Sequence, residues 1–384
     1  VEVGPDAVLT ALTEAVVGDG HQVAVSAQRR NRPEPETRLT ALARLHTTGA
    51  GPDWAEVFAG QGARRVDLPT YAFEKRTFWL DVPEQAPKGA GVVASGQIDA
   101  GHPLLGAVVV SPEGDGAVLT GRLSTRTQPW LADHAVLGTV ILPGTGYVEL
   151  AVRAGEEVGC EVVEELTIEQ IMAMPATGGI AVQVVVGAAD TDGRRPLTVY
   201  SRPDDAPQSE PWTRNATGYV ISEDKPEPAA ETYPVGQGTW PPEGAEAVDI
   251  SDVYDYLTGQ GYHYGPMFRG LRGIWLRGKE TFAEVALPDG AETAAAEFRL
   301  HPSLLDAALS ATDFMDGRKP QDVGGTQLPF AWTGVTLHAS GAHRLRVRIT
   351  SVREGGSTGS DAVRLELADP AGLPVATIDS LVVR

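Results

Sequence analysis

A repeated plan constrains this chain more than any single residue: one apolar helix set among many short strand runs, met twice. Between 102 and 222 the strand-like runs AVVVS, AVLTGRLS, HAVLGTVIL, IAVQVVVGA, LTVYSR and TGYVIS follow one another. They are broken by GTGYVELAVRAGEEVG, whose apolar residues return at helical spacing. From 248 to 384 the plan recurs, with a short helix SDVYDYLTGQG, strands, the helix PSLLDAALSATDFM, and more strands. The main helices begin alike, LPGTGYVELAV at 142–152 and HPSLLDAALSA at 301–311. Each carries Pro at its first turn, where the missing N–H costs nothing. One helix wrapped by a curved antiparallel sheet, twice over, predicts an α+β double hot-dog. Its halves are expected at 101–222 and 248–384, joined by an exposed, Pro-rich connector at 223–247.

Residues 1–80 read as strand, helix, strand and helix, ending in the Pro/aromatic segment VDLPTYAFEKRTFWL at 66–80. Residues 81–100 are rich in Pro, Gly and Ala and read as a linker. The 384 residues exceed one core, and 42% hydrophobic content is globular. The chain opens on Val1 with no signal-like segment, as expected of a piece of a longer polypeptide. A formal charge of −20 excludes nucleic acid as a partner, because phosphate binding needs a basic footprint. Apolar stretches fall far short of the about 20 residues that span a bilayer, so no membrane role is expected. The single cysteine, Cys160, permits no internal disulfide and fits a reducing cytoplasm. No HExxH pattern or Gly-rich dinucleotide loop is present, so neither a metal nor a nucleotide site is expected.

Chemistry concentrates in a few motifs. HAVLGTVILPGTGY, 134–147, alternates as a buried strand but opens on an imidazole. Gly138 is expected to permit close backbone approach, and Pro143 to turn the strand into a helix. The N–H groups of Gly144 and Thr145 then face out of a helix N-terminus, where a developing oxyanion can be held. Alone, the motif leaves a structural histidine equally open. In RLHPSLLDAALSATDF, 299–314, Asp306 sits between Leu305 and Ala307 beyond the first helical turn. A carboxylate in such company must be paired or protonated. Desolvation would raise its pKa, which a general acid requires. In GYHYGPMFRGL, 261–271, Gly265-Pro266 makes a tight turn, and Tyr262, Tyr264 and Phe268 are candidates to line a pocket. LPFAWTGVTLH, 328–338, reads as a strand carrying a Trp.

Together, His-x-x-x-Gly-x-x-x-x-Pro, Tyr-Gly-Pro-x-Phe, His-Pro-x-Leu-Leu-Asp and Leu-Pro-Phe-x-Trp resemble the dehydratase domain of modular type I polyketide synthases, over roughly 98–384. VEVGPDAVLTAL and VDLPTYAFEKRTFWL resemble the end of the preceding acyltransferase and the linker after it. The resemblance implies His134 as the base at the α-carbon and Asp306 as the acid at the β-hydroxyl, facing each other across a tunnel. Gly138, Pro143, Gly144, Tyr264, Gly265, Pro266 and Ser310 would support them. It implies no cofactor of its own, a substrate carried on the phosphopantetheine arm of an acyl carrier protein, neighbouring synthase domains as partners, and a homodimer. There is one departure: the family usually places Gln or His four residues after the aspartate, and this chain has Ser310. One helical turn would keep Ser310 within reach of Asp306. A hot-dog thioesterase and a silent scaffold module are the rival functions.

Overall fold

The computed structural model describes residues 1–17, 22–64, 66–67, 92–93, 95–112, 115–207, 209–222, 235, 238–317, 325–352 and 362–384. Nearly all of VDLPTYAFEKRTFWL and of 81–91 lies outside the described residues. The chain divides into two compact units, Val1–Asp81 and Val82–Arg384.

In the first unit the helices are α1 (Val8–Val17), α2 (Glu34–Thr47) and the short α3 (Trp54–Val57). The two expected strands reduce to one parallel bridge, Glu2 with Ser26. Glu2 instead caps α1: its carboxylate accepts from the N–H groups of Leu9 and Thr10 at 3.1 and 2.7 Å, and from the Thr10 hydroxyl at 2.7 Å.

The second unit begins with β1 (Ile98–Asp99), β2 (Ala107–Val110), β3 (Ala117–Leu123), β4 (His134–Val136) and β5 (Thr139–Val140). The helix α4 (Gly144–Glu157) precedes β6 (Val162–Ile168), β7 (Ile180–Val186), β8 (Arg195–Pro203) and β9 (Thr213–Ile221). Then come β10 (Glu246–Val248), α5 (Val253–Gly259), β11 (Tyr262–Tyr264), β12 (Leu271–Arg277), β13 (Glu280–Ala286), α6 (Glu292–Ala296) and α7 (Pro302–Leu309). The last strands are β14 (Pro329–Leu337), β15 (Arg344–Val352), β16 (Ala362–Ala368) and β17 (Pro374–Val383).

Strand burial follows the two-residue period. Ile180, Val182, Val184 and Val186 of β7 are buried, and so are Leu345, Val347 and Ile349 of β15, between the outward Arg344, Arg346 and Arg348. Fourteen strands join in one antiparallel sheet, ordered β1-β2-β3-β7-β8-β9-β6-β14-β17-β16-β15-β13-β12-β10. The two halves therefore meet edge to edge at β6 and β14, where Trp332 pairs with Leu166 and Val335 with Val163. Trp332 is fully buried at that seam, and its truncation to Ala removes about 3–5 kcal/mol. A sheet this long must curl, and each half curls over a helix, α4 or α7. Most of α4 from Thr145 to Gly155 is buried, as befits a helix enclosed on all sides.

The helices are locked to each other by polar contacts. Glu149 of α4 accepts from the N–H groups of Arg299 and Leu300 at 2.7 and 2.9 Å, just before α7, and meets His102 at 2.9 Å. The Thr145 hydroxyl donates to the carbonyl of Pro302 at 2.9 Å. A buried acceptor left without these donors would cost about 1–3 kcal/mol, so the register between halves is firmly set.

Several expectations need correction. HAVLGTVIL is a tight hairpin, β4 and β5 joined by Leu137 and Gly138, and not a single buried strand. Both turn residues have positive φ, 49° and 79°, which a two-residue hairpin demands. Gly138 thus serves the turn's handedness: a Cβ there would meet nothing within 4 Å, so close approach plays no part. The helix expected over 302–315 is α-helical only to Leu309 and continues as 3₁₀ from Ser310 to Gly317. Ile98 and Asp99, inside the expected linker, pair with β2. Most of the connector lies outside the described residues, but Val235 is buried against Ala368 and Glu246–Val248 pairs with β12. Apolar side chains in that polar segment found a sheet face to cover.

Candidate active site

His134 begins β4 and is the register partner of Tyr264 in a small sheet ordered β11-β4-β5. Its strand from the first half is thus completed by a strand from the second. The imidazole is 2% exposed. Nδ1 lies 3.1 Å from the carbonyl oxygen of Ile141. A carbonyl only accepts, so Nδ1 carries the proton and the Nε2 lone pair is free. The ring stacks on Tyr264 at 5.5 Å between centroids and leans on Phe268 at 4.9 Å. Phe268 is fully buried and packs behind the histidine.

Asp306, on α7, is 5% exposed, and its Oδ1 stands 4.0 Å from His134 Nε2. That exceeds a hydrogen bond and leaves both groups available to a third molecule. The hydroxyl of Tyr264 faces the carboxyl and lowers its pKa. Burial holds the Tyr264 pKa well above its ordinary value, so the hydroxyl keeps its proton. Burial also drives the pair in opposite directions. Desolvation pushes the His134 pKa down, with the Asp306 charge opposing. Desolvation pushes the Asp306 carboxyl up, opposed by His134 and the Tyr264 hydroxyl. A neutral imidazole and a protonated acid are the states this environment favours.

The two groups line one cavity of about 190 Å³, room for several atoms of an acyl chain rather than a single water. Of the supporting residues, Gly144, Tyr264 and Ser310 line it; Gly138, Pro143, Gly265 and Pro266 do not. Pro143 caps α4 and Gly138 sits on its hairpin tip. Gly265 and Pro266 lie behind Tyr264. A Cβ on Gly265 would collide with the Asp133 carboxylate, which accepts from the Met267 N–H at 2.9 Å and so fastens the loop beside His134. Gly144 must be small because a Cβ would stand 2.7 Å from Pro329 of β14. Ser310 caps α7, and its N–H reaches the backbone carbonyl of Asp306. Among the described residues no hydrogen bond joins its hydroxyl to the Asp306 carboxyl.

Other wall residues carried no site role in the sequence reading: Leu309, Thr312 and Asp313 beyond the aspartate, Ile168–Ile171, Gln327–Phe330 and Arg384. Asp313 had a usable signal, seven residues after Asp306 and hence two helical turns along the same face. The Ile141 carbonyl had none, being backbone.

The fold is a double hot-dog that brings one buried histidine and one buried aspartate to face each other across a single cavity. Comparison with known proteins gives the family. Residues 102–202 match the polyketide synthase dehydratase domain, and 232–384 the polyketide synthase dehydratase N-terminal domain. The dehydratase domain from the terminal module of the rifamycin polyketide synthase is 48% identical, covering 76% of this chain and 99% of that one, with a TM-score of 0.68. A solved chain from work on dehydratase substrate selection for the borrelidin and fluvirucin polyketide synthases is 45% identical, covering 77% and 99%, with a TM-score of 0.69. Polyketide synthase GfsA of Streptomyces halstedii is 50% identical over 100% of this chain, which spans 5% of that protein's length. The chain belongs to the dehydratase domain family of modular type I polyketide synthases, which eliminate water from β-hydroxyacyl thioesters.

Proposed function

We propose that His134 removes the α-proton and Asp306 protonates the departing β-hydroxyl of a thioester held in this cavity. The electron pair of the broken C–H bond forms the Cα–Cβ double bond as the C–O bond breaks, and the oxygen leaves as water with the Asp306 proton. His134 is then protonated and Asp306 ionised; a proton returning across their 4.0 Å gap restores both. The single observation that carries this reading is the anchored Nδ1 of His134, which aims a free Nε2 at a buried acid. Tyr264 tempers the acid's pKa, and the start of α4 at Gly144, where no side chain caps the helix, offers N–H groups for the thioester oxygen.

The substrate arrives on the phosphopantetheine arm of an acyl carrier protein, and the domain needs no cofactor of its own. With a charge of −20, tethering rather than electrostatic pull brings the carrier in. Residues 1–80 are the end of an acyltransferase and its following linker, and the domain works as a homodimer beside neighbouring synthase domains. Among the described residues no helix is long and apolar enough to cross a membrane.

The test incubates the purified chain with a panel of 3-hydroxyacyl thioesters and follows alkene formation. Wild type is expected to form alkene, and His134→Ala to lose at least about 100-fold in turnover while staying folded. Turnover that survives the change sinks the mechanism; release of free acid instead of alkene favours a thioesterase, and no product at all a scaffold.

A further inference from the structure

Two carboxyls in the cavity wall are left over by the dehydration chemistry: Glu169, which is paired with Arg214 and Thr217, and Asp313. Asp313 lies in the 3₁₀ segment Ser310–Gly317, two turns beyond Asp306, and lines the same cavity. Among the described residues it makes no hydrogen bond and no ion pair. Donors around it are already committed. The Tyr262 hydroxyl is bound to the Gln327 carbonyl and accepts from the Gln327 N–H at 2.7 Å. The Thr312 hydroxyl donates to the Leu309 carbonyl at 2.7 Å, and the Tyr264 hydroxyl faces Asp306. Burial pushes the Asp313 pKa up to about 6. The residue is half-buried, so its carboxyl faces the cavity with an acceptor that no described group occupies.

We propose that Asp313 is a substrate-recognition subsite, accepting a hydrogen bond from an O–H or N–H group of the bound thioester other than its β-hydroxyl. The inference rests on the cavity being the thioester site. A carboxyl accepts in either protonation state, so a donor is the complementary ligand chemistry across the working pH range. Two parts of a carrier-bound substrate present such donors: a further hydroxyl on the acyl chain, and the amide N–H groups of the pantetheine arm. The catalytic pair is untouched by either, which makes Asp313 a determinant of selection rather than of the elimination itself.

The experiment measures Kd by calorimetry for three unreactive amide analogues, in which N–H replaces the thioester sulfur. The first is an apolar 3-hydroxyacyl pantetheine amide. The second carries one more hydroxyl along its acyl chain, and the third has the apolar acyl group on propylamine, without the arm. Wild type is compared with Asp313→Leu, which is nearly isosteric and removes an unpaired acid, and with Asp313→Ala should the first fail to fold. A loss of about 10-fold confined to the second analogue assigns the subsite to the acyl chain. An equal loss of that size for the first and second, with the third unchanged, assigns it to the arm. Equal changes for all three, no change for any, or no binding to wild type overturns the proposal. Alkene formation by wild type from the matching thioesters is followed in parallel; its absence would sink the dehydratase reading independently of the Kd pattern.

Discussion

The half that carries His134 and the half that carries Asp306 share one plan, yet they hold their reacting groups in opposite ways. His134 is fixed before its helix begins, on a strand paired on both sides, with Nδ1 tied to the backbone at Ile141 and two aromatic rings against its faces. Asp306 lies within its helix, where a side chain, the Tyr264 hydroxyl, tempers its pKa. The helices differ in kind: α4 runs 14 residues, while α7 stops after 8 and tightens into 3₁₀ where Ser310 and Asp313 enter the cavity wall. A base must aim one lone pair, so rigid backbone suits it. An acid must stay protonated while still able to give up its proton, and a dry wall with one adjustable donor achieves that. Tyr264 stacks on the His134 ring and faces the Asp306 carboxyl, so one residue bears on both groups.

That comparison can be broken most forcefully at the acid. Asp306→Asn is expected to lower kcat about 10²–10⁴-fold. In wild type, kcat/KM should be bell-shaped in pH. Activity falls on the acid side as His134 gains a proton, below the ordinary 6.5 because burial disfavours its charge. It falls on the alkaline side as Asp306 loses its proton, above the ordinary 3.8 for the same reason. The residual activity of Asp306→Asn should keep the acid limb and lose the alkaline one; an alkaline limb that persists would assign it to another group.

Tyr264→Phe keeps the ring against His134 and removes only the hydroxyl that faces Asp306. That hydroxyl lowers the Asp306 pKa, so its loss raises that pKa further and moves the alkaline limb to higher pH. The acid limb should stay, and kcat should drop by roughly 10-fold from a looser acid. If both limbs move together, the asymmetry between halves is wrong. Ser310→Gln supplies a longer side chain that can reach the carboxyl; activity is expected to hold or rise by a few-fold, and a steep loss would give Ser310 its own role. Smallest of all, Gly138→Ala should cost about 1 kcal/mol in a denaturant melt, from its positive φ, with kcat unaffected. A large kcat loss there would mean that the hairpin tip, and not the Ile141 anchor, aims the base.

Much of the fold was legible in the chain because its signals are local. Alternation in β7 and β15 and helical spacing in α4 depend on residues a few positions apart, and the structure follows them. Where a local pattern was ambiguous it misled: the HAVLGTVIL run alternates as a strand should, yet a two-residue turn through Leu137 and Gly138 folds it back. Gly144 shows the other kind of miss. It was read for its N–H at a helix start, whereas its small size answers to Pro329 of β14, far along the chain.

The sequence by itself determined which half is which, that one imidazole and one carboxyl sit in apolar company, and that their motifs are those of a dehydratase. Only the tertiary structure decided that Nδ1 and not Nε2 is tied down, that Tyr264 rather than Ser310 bears on the acid's pKa, and that Asp313 shares the cavity. The reason is one of range. Hydrophobic period and turn chemistry are written within a dozen residues, whereas a 4.0 Å gap between His134 and Asp306 depends on how β4 meets β11 and how α4 is clamped to the start of α7.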